Sequence, residues 1–140
     1  KRYKPKGGKC IWTCFKNYQG QLAGAGFKKT KNGKDKKGKD VINPEYYGWL
    51  NCGARATNNY SDVQLAMYCV DRYPNTTVQG FLHQKGGFID KDEFALSEML
   101  QWIWRTAIRN GKPITVFIPS NRMRRLLEDW LQEGETVTLH

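Results

Sequence analysis

Apolar and polar positions along this 140-residue chain follow two different periods, and together they predict helices alternating with strands. From residue 92 to residue 110 apolar side chains recur every three or four positions, which predicts one long amphipathic helix. Asp90 or Asp92 would serve as its N-cap, and Asn110-Gly111 would end it. The apolar run ITVFI at 114–118 then has the length and composition of a buried strand.

The predicted long helix has a wide apolar face. Trp102 and Trp104 extend that face beyond the regular spacing, so we expect the helix to be wedged between other elements. Its regularly spaced apolar residues are Phe94, Leu96, Met99, Leu100, Ile103, Ala107 and Ile108.

The same patterns predict further strands and helices. The nearly continuous apolar run at 63–72 is typical of a strand buried on both faces, as in a parallel sheet. Because strands alternate with helical segments late in the chain, we predict an α/β fold with at least part of the sheet parallel. The remaining predictions are strands at 10–16 and within 41–51, a short helix at 76–84, and a helix at 122–131 capped by Ser120. The last helix would turn inward Met123, Leu126, Leu127, Trp130 and Leu131.

Positive charge is concentrated at one end of the chain. The net charge is +10, yet residues 1–40 hold 13 Lys and Arg against two acidic residues, whereas residues 41–140 carry a net charge of −1. The length suits a single domain, with 1–40 as a basic segment and 41–140 as the globular part. Such asymmetry favours a polyanionic partner, most often nucleic acid, with DNA preferred over RNA. The alternative is a solvated lysine loop that only aids solubility.

A low-complexity basic loop at 28–40 is one candidate binding site. Its lysines would neutralise phosphates regardless of sequence, and Asn32-Gly33 is suited to a tight turn between two strands. Tyr46, Tyr47 and Trp49 follow the loop, either to stack on bases or to fill the core. The candidate nucleic-acid-binding lysines are Lys28, Lys29, Lys31, Lys34, Lys36 and Lys37. A smaller basic cluster on the last predicted helix suits either phosphate or solvent and consists of Arg122, Arg124 and Arg125.

Acid–base and metal chemistry have little support in the sequence. His83 and His140 are the only histidines, and neither paired carboxylates nor a Ser-His-Asp arrangement is recognisable. The cysteines fit no zinc spacing and are predicted to be structural thiols in a reducing cytoplasm; they are Cys10, Cys14, Cys52 and Cys69.

The chain has no apolar run that approaches the roughly 20 residues of a membrane-spanning helix. We therefore expect no membrane partner and a cytoplasmic location. Because the chain begins at Lys1 rather than Met, we also expect it to be a processed or excised piece of a longer protein.

Gln101, Arg105 and Arg109 follow one another at four-residue steps, which would place all three along one stripe of the predicted long helix. Two arginines one turn apart offer rigid, permanently charged forks suited to phosphate oxygens. The alternative is a solvated polar face on which Glu98 forms an ion pair with Arg105 or a nearby residue. The stripe is therefore the second candidate site.

Three segments together carry a resemblance to a known family: GARATNNY, LAMYCVDRYPN and ALSEMLQWIWRTAIRNGKPITVFIPSNRM, which lie between residues 53 and 123. They resemble the distal half of the second RecA-like motor domain of a superfamily 2-type helicase or translocase, of the kind that phages and mobile elements carry. The family's arginine pattern has Gly where this chain has Trp104, and its second arginine comes one position before Arg109.

The resemblance implies a RecA-like three-layer domain with a mostly parallel sheet and a basic N-terminal loop. It also implies that Arg105 and Arg109, with Gln101, act as arginine fingers toward ATP and Mg²⁺ held mainly by an upstream RecA-like domain. Contacts to nucleic acid would come from the loop residues Arg55, Thr57 and Asn58. No phosphate-binding loop of the GxxxxGK[ST] type is present, so the chain alone is not expected to hydrolyse ATP.

Two functional hypotheses follow from the sequence. The first is the C-terminal motor-domain fragment of a nucleic-acid-dependent ATPase or helicase. The second is a non-catalytic basic accessory protein that binds DNA or RNA. A small nuclease is disfavoured because no cluster of carboxylates or histidines is visible.

Overall fold

The computed structural model describes residues 10–22, 32–34, 37, 40–42, 48–54 and 60–137. The elements in chain order are strand β1 (Cys10–Thr13), a 3₁₀ turn (Lys16–Tyr18), helix α1 (Gln19–Leu22), strands β2 (Asn32–Lys34), β3 (Asp40–Ile42) and β4 (Leu65–Tyr68), helices α2 (Thr76–Gln84) and α3 (Lys91–Ile103), a 3₁₀ helix (Ala107–Asn110), strand β5 (Thr115–Phe117) and helix α4 (Asn121–Val137).

The main sheet is parallel and has the strand order β1-β4-β5. On the free edge of β1, Trp12 exchanges backbone hydrogen bonds with Gly48 and Leu50, at 3.3 and 2.9 Å, in a parallel bridge centred on Trp49. The chain therefore passes from β1 to the segment 48–50 on one side and then returns to β4 on the other side. The predicted α/β fold with a mostly parallel sheet is confirmed.

The core lies between this sheet and helix α3. Trp102 is fully buried on α3, stands edge-on to the ring of Tyr68 with 5.4 Å between centroids, and donates its indole N–H to the Leu50 carbonyl at 3.3 Å. Such an aromatic pair contributes about 1 kcal/mol beyond its area burial. Other fully buried members of the core are Ile11, Val63, Ala66, Ala95, Met99 and Met123.

Helix α3 begins where the sequence predicts and ends earlier. The Asp90 carboxylate accepts hydrogen bonds from the backbone N–H groups of Asp92 and Glu93 at 2.8 and 2.9 Å, so Asp90 is the N-cap. The prediction of one helix as far as residue 110 is wrong. The helix ends at Ile103, and the N–H of Ala107 then donates to the Val63 carbonyl, at 2.9 Å, next to β4.

The ends of the predicted long helix and of the last helix are less buried than the sequence predicts. Trp104 is 57% exposed, so the expectation of a wedged helix holds for Trp102 and is wrong for Trp104. Helix α4 starts as predicted, since the Ser120 hydroxyl accepts from the N–H of Met123, but it extends to Val137. Beyond the contact with α3, its Trp130 and Leu131 are exposed rather than inward.

Some of the remaining sequence predictions are confirmed by the structure and others are not. Helix α2 has the predicted bounds, and the strand predicted at 63–72 shortens to β4. The predicted basic loop at 28–40 contains β2 and reaches the first residue of β3, with which β2 forms an antiparallel pair. Asn32 and Gly33 lie within β2 rather than at a turn. The aromatic pair 46–47 lies outside the described residues.

Candidate functional site

A cavity of about 630 Å³ lies along one side of helix α3. The helix contributes three residues at positions i, i+4 and i+7, which share one face, and the chain just beyond the helix contributes a fourth. Loops that follow the carboxyl ends of β4 and of the segment 48–50 close the cavity. The lining residues are Phe94, Glu98, Gln101, Arg105, Arg72, Cys52, Gly53 and Ala54.

The wall opposite the helix is a tight turn at 51–54. The Asn51 side chain accepts the N–H of Gly53 at 3.1 Å, and the Asn51 carbonyl accepts the N–H of Ala54 at 3.0 Å. Asparagine favours such turns because its side chain can replace a backbone acceptor. The turn therefore sets a fixed wall against the polar face of α3.

The guanidinium group of Arg105 is the feature of the cavity that most clearly indicates a ligand. Its Nε and Nη1 atoms are buried, and neither has a hydrogen-bond partner among the residues that the structure describes. Burial lowers the pKa of its guanidinium, because removing the charge from water disfavours the protonated form. A buried donor without a partner costs about 1–3 kcal/mol, and more when it is charged. An anion in the cavity would supply the missing acceptor.

A second guanidinium, that of Arg72, lines the same cavity. Its Nη2 donates to Glu98 Oε2 at 3.0 Å, and the guanidinium carbon lies 5.9 Å from the centre of the Phe94 ring. Its Nε is also buried without a partner in the described residues. Burial disfavours the charge, but the hydrogen bond and the charge of Glu98 outweigh that effect and raise the pKa of Arg72. Glu98 therefore forms its ion pair with Arg72 rather than with Arg105.

The structure separates the three residues of the predicted stripe. Gln101 lies on α3, where it donates to the Ser97 hydroxyl at 3.3 Å, and it lines the cavity together with Arg105. Arg109 is exposed on the 3₁₀ helix and does not line the cavity. The prediction of a common stripe is wrong for Arg109, because the helix has already ended before that position.

Most of the predicted nucleic-acid-binding residues lie outside the residues that the structure describes. Lys34 lies in β2, and Lys37 is exposed in the turn between β2 and β3. The others lie outside the described residues and stay predictions: Lys28, Lys29, Lys31, Lys36, Arg55, Thr57 and Asn58.

Arg122 is a structural residue and not part of an open basic cluster. Its Nη1 donates to Asp71 Oδ1 at 2.6 Å and to the Arg72 carbonyl at 2.9 Å, while its Nη2 contacts Asp92 Oδ1 at 2.8 Å. The guanidinium also lies 4.2 Å from the centre of the Tyr73 ring. Arg122 thus joins the starts of α3 and α4 to the loop that carries Arg72.

Sequence reasoning missed Arg72. One signal was available, because Arg72 is the last residue of the predicted buried strand at 63–72, and ligands of parallel α/β sheets gather at the carboxyl ends of their strands. The pairing of Arg72 with Glu98 depends on how α3 packs on the sheet, which periodicity does not reveal.

Other chemistry is limited in the described part of the chain. All four cysteines are free thiols, and burial raises the pKa of Cys10 to about 11, which keeps it protonated. No group of three or more His, Cys, Asp or Glu that could hold a metal ion occurs among the residues described. Within the same residues, no helix has the length and apolar character needed to cross a membrane.

The parallel sheet, the reversal of strand order beside β1 and the cavity bounded by carboxyl-end loops define a Rossmann-like α/β domain. The chain belongs to the family described as the YonV C-terminal Rossmann-like domain, which matches residues 1–131.

One relative extends this comparison. The chain is 41% identical over 122 residues to the SPbeta prophage-derived uncharacterized protein YonV of Bacillus subtilis (strain 168), an alignment that covers 87% of this chain and 25% of that protein. The chain therefore spans about a quarter of the length of the curated relative that it matches. No solved structure matches the chain.

Proposed function

We propose that this domain binds a phosphate group in the cavity beside α3, with Arg105 as the principal ligand. The observation that carries the proposal is that Arg105 lines the cavity while two of its nitrogens, Nε and Nη1, are buried with no hydrogen-bond partner in the described residues. A guanidinium presents adjacent N–H groups in a fixed plane that matches two phosphate oxygens. Gln101 lies one helical turn before Arg105 and can donate its amide N–H to a third oxygen.

The phosphate belongs, in this proposal, to a nucleotide bound between this domain and another part of a longer protein. Support comes from the resemblance of the Gln101–Arg105 segment to the arginine motif of helicase motor domains and from the relative, which is about four times as long as the matched region. The domain would be the arginine-bearing half of a nucleic-acid-dependent ATPase. As the resemblance implies, Mg²⁺ would be held with the rest of the nucleotide by the other part.

Calorimetric titration of the 140-residue chain with sodium pyrophosphate tests the phosphate site. We expect Arg105→Met to weaken binding roughly tenfold or more, because a charge-assisted hydrogen bond contributes about 1.5–3 kcal/mol. The matched control, Arg109→Met, removes an arginine outside the cavity and should change the affinity by less than about twofold. Binding that survives Arg105→Met and falls with Arg109→Met would place the anion elsewhere.

A second candidate function is sequence-independent binding of nucleic acid by the basic N-terminal segment. The observation that favours it is the concentration of charge, because residues 1–40 hold 13 of the chain's 23 Lys and Arg. Lysines in such a segment release counterions from the phosphate backbone, so the affinity falls steeply with salt.

Two triple variants distinguish this function from a general effect of net charge. Replacing Lys28, Lys29 and Lys31 by Gln should weaken DNA binding and reduce the slope of log K against log salt by about 2–3. The control replaces three lysines of the globular part by Gln: Lys85, Lys91 and Lys112. Equal effects of both variants, measured by fluorescence anisotropy over a salt series, would show that only the net charge matters.

A further inference from the structure

The two arginines that line the cavity differ in the partners of their guanidinium groups. Arg105 has two buried nitrogens without partners in the described residues, whereas Arg72 is bound to Glu98 through Nη2 at 3.0 Å and leaves Nε unmatched. We propose that Arg72 is a second ligand of the same phosphate group and that Glu98 binds Arg72 only while the site is empty. Phosphate binding would then break the Arg72–Glu98 ion pair and form a two-arginine clamp, in which Arg72 and Arg105 both bind the phosphate. The inference rests on the proposed phosphate site.

Arg72 is mounted rigidly enough to serve as a preformed ligand. Arg122 donates to the Arg72 carbonyl at 2.9 Å and to the neighbouring Asp71 carboxylate, so the backbone of this loop is held to helix α4. The Phe94 ring lies beside the guanidinium, 5.9 Å from its carbon. A guanidinium fixed in this way loses little conformational entropy when it gains a new acceptor.

Glu98 acts as a competing anion within the cavity. Its carboxylate binds Arg72, and a phosphate placed between the two arginines would repel that carboxylate because both are negative. The side chain of Glu98 is 26% exposed, so it has access to water when it leaves Arg72. The exchange therefore requires a ligand that binds Arg72 more strongly than a single carboxylate does.

The competition between Glu98 and the ligand for Arg72 favours a ligand with more than one negative charge. A terminal phosphoryl group carries close to two negative charges at neutral pH and presents three oxygens, whereas a backbone phosphodiester carries one charge and two free oxygens. Only the former offers enough charge to engage both guanidinium groups and displace Glu98. The site is thus matched to the terminal phosphate of a nucleotide or to pyrophosphate, in preference to the backbone of nucleic acid.

Nuclear magnetic resonance of the arginine side chains tests the clamp. In ¹⁵N-labelled chain each arginine gives a separate Nε–H signal, and Arg72→Lys and Arg105→Lys assign the two signals by removing them. Titration with pyrophosphate should shift both signals along one saturation curve, and dimethyl phosphate, a monoanionic diester, should bind at least about tenfold more weakly.

If Glu98 competes with the phosphate for Arg72, substitutions of Glu98 and of Arg72 should change the affinity for pyrophosphate in opposite directions. Glu98→Gln should tighten pyrophosphate binding about two- to fivefold by removing the competing charge. Arg72→Lys should weaken it about tenfold, because lysine lacks the bidentate fork. Glu128→Gln, on the exposed face of α4, removes the same charge outside the cavity and should have no effect.

The outcomes separate this inference from the function on which it rests. Suppose that the Arg105 signal shifts, the Arg72 signal does not, and Glu98→Gln fails to tighten binding. The two-arginine clamp is then wrong, and the proposed phosphate site with Arg105 alone remains supported. If neither signal shifts with pyrophosphate, the clamp and the proposed phosphate site both fail.

Discussion

At the scale of single residues, the candidate site was only half predictable. Arg105 and Gln101 were identified from their four-residue spacing, and both line the cavity although α3 ends at Ile103, before Arg105. Arg109 was included for the same reason and lies elsewhere, because spacing along the sequence does not reveal where a helix ends. Arg72 was missed because its partners, Glu98 and Phe94, are distant in sequence and meet it only after the sheet and α3 have packed.

Two buried nitrogens of the Arg105 guanidinium have no partner in the described part of the chain, which also affects stability. A buried charged group without partners destabilises the folded state, and apolar replacements of such groups are often neutral or stabilising. Methionine keeps most of the length of the arginine side chain and has no N–H group to satisfy. Arg105 therefore fits a residue kept for a ligand rather than for the fold.

At the scale of elements, helix starts were more predictable than helix ends. Asp90 and Ser120 are N-caps in the structure as in the sequence, because a cap is a local interaction between a side chain and nearby N–H groups. The end of α3 depends on a hydrogen bond from Ala107 to Val63, 44 positions away in the chain. Trp130 was likewise predicted to face inward from its spacing alone, whereas its side chain is exposed.

The cap of α3 predicts a pH dependence of stability. Hydrogen bonds from the N–H groups of Glu93 and Asp92 lower the pKa of Asp90 below its ordinary value of 3.8. The folded state therefore holds this proton less tightly than the unfolded state, so the contribution of the charge is complete above that value and is lost as the pH falls below it. Asp90→Asn keeps an acceptor oxygen but removes the charge.

We expect Asp90→Asn to be less stable than the unsubstituted chain near neutral pH, with the difference shrinking as the pH falls below 3.8. Urea unfolding of both proteins over a pH series measures the difference. Asp90→Ala, which also loses the acceptor, should stay destabilised at low pH. A difference between Asp90→Asn and the unsubstituted chain that grows toward acid would contradict this assignment of the cap.

At the scale of the whole molecule, the α/β class and the parallel sheet followed from the alternation of strands and helices. The strand predicted within 41–51 includes the segment 48–50, but its position beside β1 was not predictable, because the pattern of a strand does not reveal its neighbour in the sheet. That segment leads directly into the turn that forms one wall of the cavity. The family and the prophage relative support a Rossmann-like domain, while the motor function and nucleic-acid binding are proposals.

The central claim is that Arg105 is retained for an anion and costs stability without one. Urea unfolding of the unsubstituted chain and of Arg105→Met, each with and without pyrophosphate, tests both halves of the claim in one measurement. Without pyrophosphate, Arg105→Met should be about 1 kcal/mol more stable. Pyrophosphate at ten times its Kd for the unsubstituted chain should stabilise that chain by about 1.4 kcal/mol and the variant, which binds at least about tenfold more weakly, by no more than about 0.4 kcal/mol. A variant that is less stable than the unsubstituted chain and equally stabilised by pyrophosphate would contradict the account.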